Sequence, residues 1–190
     1  MITQRGRAPV ESAFRNLSVN IRITFEGISQ NNNLSVPLEE SNGKLLDRQR
    51  TLQKVKDYGK PLADKNRKIY YLFVSHPLGG NTSRSYSIDA DTVVSTNGTF
   101  CTNESNAAVV RHSFNNSNFY WRAAKSTAYI LGAKPISFFV SLKPEDLTEV
   151  NNTISHCLKS HPEENQAPGY QYVTEKHTEV EDGAGTVEAC

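Results

Sequence analysis

One run of residues constrains the fold more than any other part of the chain. Residues 68–75 read Lys-Ile-Tyr-Tyr-Leu-Phe-Val-Ser, and β-branched and aromatic side chains of this kind favour a strand. The breaker Pro77-Leu-Gly-Gly-Asn81 follows directly and ends the run. We therefore predict a strand in the centre of a sheet.

Other segments supply further strands and helices. The alternation of Val19, Ile21, Ile23 and Phe25 with polar residues predicts a half-buried strand. Further strands are predicted at residues 85–95, 107–114, 127–132, 136–142 and 170–174, and helices at residues 10–17, 44–58 and 144–160. The pattern predicts an α+β fold, either a β-sandwich or a mixed, mostly antiparallel sheet core, with peripheral helices.

The length and charge of the chain limit its organisation and its partners. The 190 residues predict a single catalytic-type α+β domain over residues 1–160 and an acidic, partly ordered C-terminal segment over residues 161–190. The chain has 21 Lys and Arg residues and 20 Asp and Glu residues, so its net charge is close to zero and a polybasic nucleic-acid binder is not expected. No apolar run is long enough for a membrane span, and the N-terminal pattern is not that of a signal peptide.

The cysteines form a sparse and odd set, Cys101, Cys157 and Cys190. No disulfide framework is expected from such a set, and a reducing compartment fits it best. Abundant Asn, Ser and Thr also produce seven Asn-x-Ser/Thr triplets, which are interpreted as loop composition. The triplets begin at Asn16, Asn33, Asn81, Asn97, Asn103, Asn115 and Asn151.

Cys101 and His112 are the first candidates for catalysis. A thiol nucleophile needs a base that raises its thiolate fraction, and His112 lies eleven residues further along the chain. Ser95, Thr96 and Thr99 are candidates for a supporting catalytic hydroxyl.

Local geometry sets a condition on this pair. Asn97-Gly98 is typical of a two-residue hairpin turn, and a tight hairpin leaves Cys101 and His112 about 13 Å apart along the strand. Catalysis therefore requires that residues 97–105 form an irregular loop that brings Cys101 close to the strand carrying His112.

The order and spacing of Cys101 and His112 resemble the Cys-His glutamine deamidase toxins, the group that contains cytotoxic necrotizing factor and Burkholderia lethal factor. The stretch Asn118-Phe119-Tyr120-Trp121-Arg122 is similar to the aromatic-Trp-Arg stretch that follows the His in that family. Residues 11–17 and the strand at residues 20–26 are similar in layout. The family places Gly before its Cys, whereas this chain has Phe100.

The resemblance implies a bacterial toxin or effector that is a cysteine-dependent hydrolase, with a β-sandwich fold. Cys101 would attack a glutamine carboxamide of a target-cell protein, and His112 would protonate the leaving ammonia. Small GTPases and a translation factor are the substrates it suggests, and neither a metal nor an organic cofactor is needed. The chain would be secreted by a non-Sec route into the target-cell cytosol, or would be cytoplasmic. An exposed aromatic cluster beside the His, Phe119, Tyr120 and Trp121, is the candidate substrate-binding rim.

Two alternatives stay open. Arg22, Ser95-Thr96 and Glu179-Val-Glu181 follow the order of motifs in ADP-ribosyltransferase toxins, and burial of Arg22 over a pocket with Glu181 would support that class. A non-enzymatic binding or inhibitor domain would leave Cys101 buried and inert.

Metal binding at His156, Cys157 and His161 is the weaker interpretation of that group, because Cys157 lies beside apolar residues and resembles a small core residue.

Overall fold

The structure is a computed structural model that describes residues 4–24, 27, 29–62, 66–79, 92–112, 120–134 and 142–160. All of these belong to one compact unit, Met1–Ser160. The C-terminal segment 161–190, with its predicted strand at residues 170–174, lies outside the described residues. So do residues 85–91 of the predicted strand at 85–95 and residues 136–141 of the predicted strand at 136–142.

Helices and strands both contribute to this unit, as the α+β prediction requires. The helices are α1 (Gln4–Arg15), α2 (Arg48–Gly59), α3 (Tyr120–Ile130) and α4 (Pro144–Ser160), and two short 3-10 helices span Asn32–Leu34 and Glu39–Ser41. The strands are β1 (Leu46–Asp47), β2 (Ile69–Val74), β3 (Leu78–Gly79), β4 (Val93–Ser95) and β5 (Asn106–Arg111).

The larger sheet has the order β2-β5-β4, with β5 in the centre. The strand predicted at residues 68–75 is therefore present as β2, but its predicted central position is wrong for the described strands. β5 pairs in parallel with β2 along the whole of both strands and antiparallel with the shorter β4, while β1 and β3 form a separate parallel pair. The prediction of a mostly antiparallel sheet is therefore wrong for the described strands, and these strands do not form a β-sandwich. Residue alternation does not reveal strand direction, which here is set by the crossover from β2 to β5.

β5 is buried on both faces, which is typical of a parallel strand covered by helices. Ala107 and Val109 pack in one apolar cluster with Val55 of α2. Ala108 and Val110 pack in another with Ile130 of α3. The sheet thus lies between α2 and α3.

A third layer covers the outer side of α3. Phe14 of α1 is fully buried and packs in one core cluster with Ala124 of α3 and Val150 of α4. Burial of a large aromatic side chain of this kind contributes about 1.5–3 kcal/mol, so this cluster helps to hold α1 and α4 to the domain.

Two of the predicted strands are wrong. Residues 127–130 complete helix α3, and residues 131–132 form a turn after it. In α3, Ala123, Ala124 and Ala128 form a buried helical face, and alanine has the highest helix propensity. Residues 19–24 are extended and alternate in burial as predicted, but they pair with no strand among the described residues. Instead, the Ile23 N–H donates to the carboxylate of Glu11 in α1 at 2.7 Å.

The helix predicted at residues 144–160 is confirmed. Pro144 occupies the first turn of α4. Backbone N–H groups in a first turn have no partner within the helix, so the missing N–H of proline costs no hydrogen bond there. The buried Asp146 carboxylate accepts the backbone N–H groups of Lys134 and Lys143 at 3.1 and 3.2 Å. This carboxylate fixes the angle at which the chain enters α4.

Candidate functional site

The loop between β4 and β5 carries Cys101 and is irregular, as the catalytic prediction required. Gly98 and Cys101 both have positive φ, 62° and 59°. The N–H groups of Gly98 and Phe100 donate to the carbonyls of Tyr129 and Ile130 at the end of α3. These bonds hold the loop against the C-terminal end of that helix.

Cys101 forms a disulfide with Cys157 of α4, and their Cα atoms are 5.5 Å apart, within the usual range for disulfides. The sequence predicts no disulfide framework, and this single bond was not anticipated because an odd set of three cysteines does not indicate a pair. Cys157 is buried, as predicted for a core residue, with 7% of its surface exposed. A sulfur atom in a disulfide has no thiolate form and is not a nucleophile.

The hydroxyl groups near Cys101 stabilise its loop. The buried Thr99 hydroxyl donates to Thr96 Oγ1 at 2.7 Å, and Thr96 Oγ1 accepts the Ala107 N–H at 3.2 Å. Ser95 Oγ is buried and has no hydrogen-bond partner in the part of the chain that the structure describes. The three predicted hydroxyl residues therefore surround the loop and the start of β5.

His112 lies at the opposite end of the sheet. The Cys101 N–H donates to the carbonyl of Asn66, before β2 begins, whereas the His112 N–H donates to the carbonyl of Val74, where β2 ends. At about 3.3 Å per residue, β2 alone spans about 16 Å, which is beyond the reach of a hydrogen bond between the two side chains. The structure does not bring the predicted nucleophile and base together.

The other predicted residues are also dispersed. Tyr120 and Trp121 begin α3, half-buried against the core, with ring centroids 5.0 Å apart, and Phe119 lies outside the described residues. Arg22 of the ADP-ribosyltransferase pattern is exposed.

The remaining acidic and metal-site predictions fall beyond the described part of the chain. Glu179 and Glu181 lie outside it, as does His161. The described residues contain no group of three or more His, Cys, Asp or Glu that is suited to a metal ion.

A second group of side chains gathers where β5 ends, and we call Arg48, Arg111, His112 and Arg122 the carboxyl-edge cluster. Arg48, the first residue of α2, donates to the carbonyl of Val93 in β4 at 3.0 Å. Arg122, in the first turn of α3, donates to the carbonyl of Arg111 at 2.7 Å. All four residues of the cluster are half-buried.

The cluster extends over both faces of the sheet. Strand alternation places Arg111 on the same face as Val109, which packs with α2, the helix that begins at Arg48. The charge of Arg122 acts on His112 from α3, on the other face. Both helices begin at this edge, and the Asp47 carboxylate caps the N-terminus of α2 by accepting the Arg50 N–H at 2.9 Å.

The local electrostatics are those of a desolvated positive site. Burial lowers the pKa of His112 below 6.5, and the charge of Arg122 lowers it further, so the imidazole is neutral at pH 7. The Arg111 Nε atom is fully buried and has no hydrogen-bond partner among the described residues.

Sequence analysis identified only His112 in this cluster, and for another role. Arg48, Arg111 and Arg122 are 63 and 11 residues apart, and no motif joins them. The one available signal is the rule that open sheets bind ligands at the carboxyl ends of parallel strands, and this rule needs the strand directions first.

Comparisons with known proteins found no related protein. No protein-family model matches the chain, and neither the curated proteins nor the solved structures contain a match. Among the described residues, no helix has the length and apolar character needed to cross a bilayer.

Proposed function

We propose that this chain is a binding domain that takes an oxyanion, a phosphate or carboxylate group of a partner molecule, at the carboxyl-edge cluster. The observation that carries the proposal is that three arginines lie near the end of β5, where Arg48 donates to the carbonyl of Val93 and Arg122 donates to the backbone carbonyl of Arg111. A guanidinium group offers a planar fork of donors that matches the oxygen atoms of such an anion.

Three features of the edge support binding of an anion. It is the carboxyl end of a parallel strand pair, the usual ligand position in open α/β sheets. The N-terminus of α3 adds a positive dipole end, which attracts anions. The Arg111 Nε atom is buried without a hydrogen-bond partner among the described residues, and a bound anion would supply an acceptor for it.

The glutamine deamidase prediction, by contrast, has no support in the described geometry. That reaction needs a free Cys101 thiol and a base within hydrogen-bond reach, and His112 belongs to the opposite edge of the sheet. Alkylation separates the two hypotheses. A binding domain leaves Cys101 unlabelled at neutral pH until the disulfide is reduced, whereas a deamidase exposes a rapidly labelled Cys101 that slows in His112→Ala.

The direct test is titration of the oxidised full-length protein with inorganic phosphate, and separately with acetate, at constant ionic strength. We expect saturable binding by calorimetry and a rise in the pKa of His112, followed by NMR of its imidazole, because a bound anion stabilises the charged ring. Arg111→Gln should weaken binding about tenfold or more, the equivalent of a charged hydrogen bond worth about 1.5–3 kcal/mol.

The matched control is Arg50→Gln, which removes an arginine of α2 whose side chain is 62% exposed and pairs with Glu39 on the surface. It should leave the affinity unchanged. Arg122→Lys keeps the charge but loses the planar fork, so it should weaken binding while the fold is retained. Equal affinities in wild type, Arg111→Gln and Arg50→Gln would refute the proposed site.

A further inference from the structure

Asn-x-Ser/Thr triplets are more frequent in this chain than its composition predicts. The sequence holds 17 asparagines and 32 serines and threonines among 190 residues, so random order predicts about three triplets (17 × 32/190). Seven are present. Abundance of these residue types therefore accounts for less than half of them.

The structure places the asparagines of these triplets at the surface. Five of the seven belong to the described residues, and all five are exposed: Asn16, Asn33, Asn97, Asn103 and Asn151. Asn106, which belongs to no triplet, is fully buried instead, and its amide donates to the carbonyls of Asn66 and Lys68. A large polar group attached at any of the five exposed positions would point into solvent.

The disulfide supplies independent evidence of compartment. Disulfides such as Cys101–Cys157 form and persist in oxidising compartments, including the endoplasmic reticulum and the cell exterior. The endoplasmic reticulum is also where asparagine in this triplet accepts glycans in secreted proteins. Two unrelated features of the chain thus point to one compartment.

We infer that the exposed triplet asparagines are N-glycosylation sites and that the chain matures in the secretory pathway. The donor is an oligosaccharide linked to a lipid diphosphate. The asparagine amide nitrogen forms a bond to C1 of the first sugar, the C1–O bond to the diphosphate breaks, and one amide proton leaves with the lipid diphosphate. Attachment precedes folding, so the burial of Thr99 and Ser105, the third residues of two triplets, does not prevent it.

The positions of two sites are compatible with the proposed anion site. Asn97 and Asn103 lie in the loop that carries Cys101, at the amino end of β5, whereas the carboxyl-edge cluster lies at the other end of that strand. Glycans on this loop leave the cluster open. The glycosylation inference does not depend on the anion-binding proposal, and either can fail without the other.

The test uses the full chain, expressed behind a cleavable leader in secreting eukaryotic cells. A peptide N-glycosidase in water labelled with heavy oxygen converts each glycosylated asparagine to a labelled aspartate, which peptide mass spectrometry locates. Label at most of the five exposed sites, together with a Cys101–Cys157 linked peptide, supports the inference. Label at few or none of them, from cells that modify a reference glycoprotein, overturns it.

Neighbouring residues of α4 provide a matched pair of variants. Asn151→Gln removes an exposed acceptor, and Asn152→Gln changes the equally exposed middle residue while it preserves the triplet with Thr153. We expect the first variant to lose one glycan in intact mass and the second to keep it. Loss of the Asn151 glycan in Asn152→Gln as well would contradict recognition through the triplet.

Discussion

Reduction of the disulfide between Cys101 and Cys157 should lower the free energy of unfolding by a large and calculable amount. The bond joins residues 56 apart in sequence. In the chain-entropy description, cross-linking a loop of that length removes enough freedom from the unfolded chain to stabilise the native state by about 4 kcal/mol. With a urea m-value of about 2 kcal/mol/M, the unfolding midpoint should fall by roughly 2 M on reduction.

The assay is urea unfolding of the oxidised and the reduced protein, followed by circular dichroism, in a Cys190→Ser background that leaves only the bonded pair. Cys157→Ala should resemble the reduced protein, and a reducing agent should not change its midpoint further. Ser155→Ala, at an exposed position of the same helix, is the control and should leave the midpoint within about 0.5 kcal/mol of the parent. Midpoints that coincide for oxidised and reduced protein would refute the view that this bond constrains the unfolded chain.

Three further variants test local features of the structure. In a Cys157→Ala background, Cys101→Gly should be more stable than Cys101→Ala by about 0.5–1 kcal/mol in urea unfolding, because residue 101 has a φ of 59°. Equal stabilities of the two variants would contradict a left-handed backbone at residue 101. Gly59→Ala places a Cβ 2.6 Å from ring carbons of Tyr70, so it should lower the free energy of unfolding by about 1–3 kcal/mol although alanine favours a helix. A more stable variant would show that the ring moves aside. Because the pKa of His112 is lowered by folding, its contribution to stability is present above pH 6.5 and is lost as the pH falls through the lowered pKa; His112→Asn should flatten this part of the pH profile of unfolding.

Much of the secondary structure is determined locally. Residues 68–75 form β2 because their β-branched and aromatic side chains suit a pleated surface, and residues 144–160 form α4 because their apolar residues repeat with the helical period. The helical face of α3 was predicted as a strand because its buried residues are small alanines, which give a weak hydrophobic pattern. Its identity depends on packing against α1 and β5.

The candidate functional residues also depend partly on the local sequence and partly on the tertiary structure. Sequence identifies which residues carry chemistry, but the Asn97-Gly98 pair indicates a tight hairpin, and an irregular loop around Cys101 was only a condition that catalysis would require. The sequence places Cys101 and His112 only eleven residues apart along the chain, but six of those residues form β5, an extended strand that carries them to opposite edges of the sheet. Short separation in sequence therefore did not mean proximity.

By itself, the sequence determined the residue types, most of the local elements and the positions of the Asn-x-Ser/Thr triplets, because each depends on neighbours along the chain. Only the tertiary structure decided that Cys101 meets Cys157 and that Arg122 meets the carbonyl of Arg111. These contacts depend on the direction in which each strand and helix crosses the core. That direction is fixed by burial of apolar surface from distant segments, a property of the whole chain that no single segment encodes.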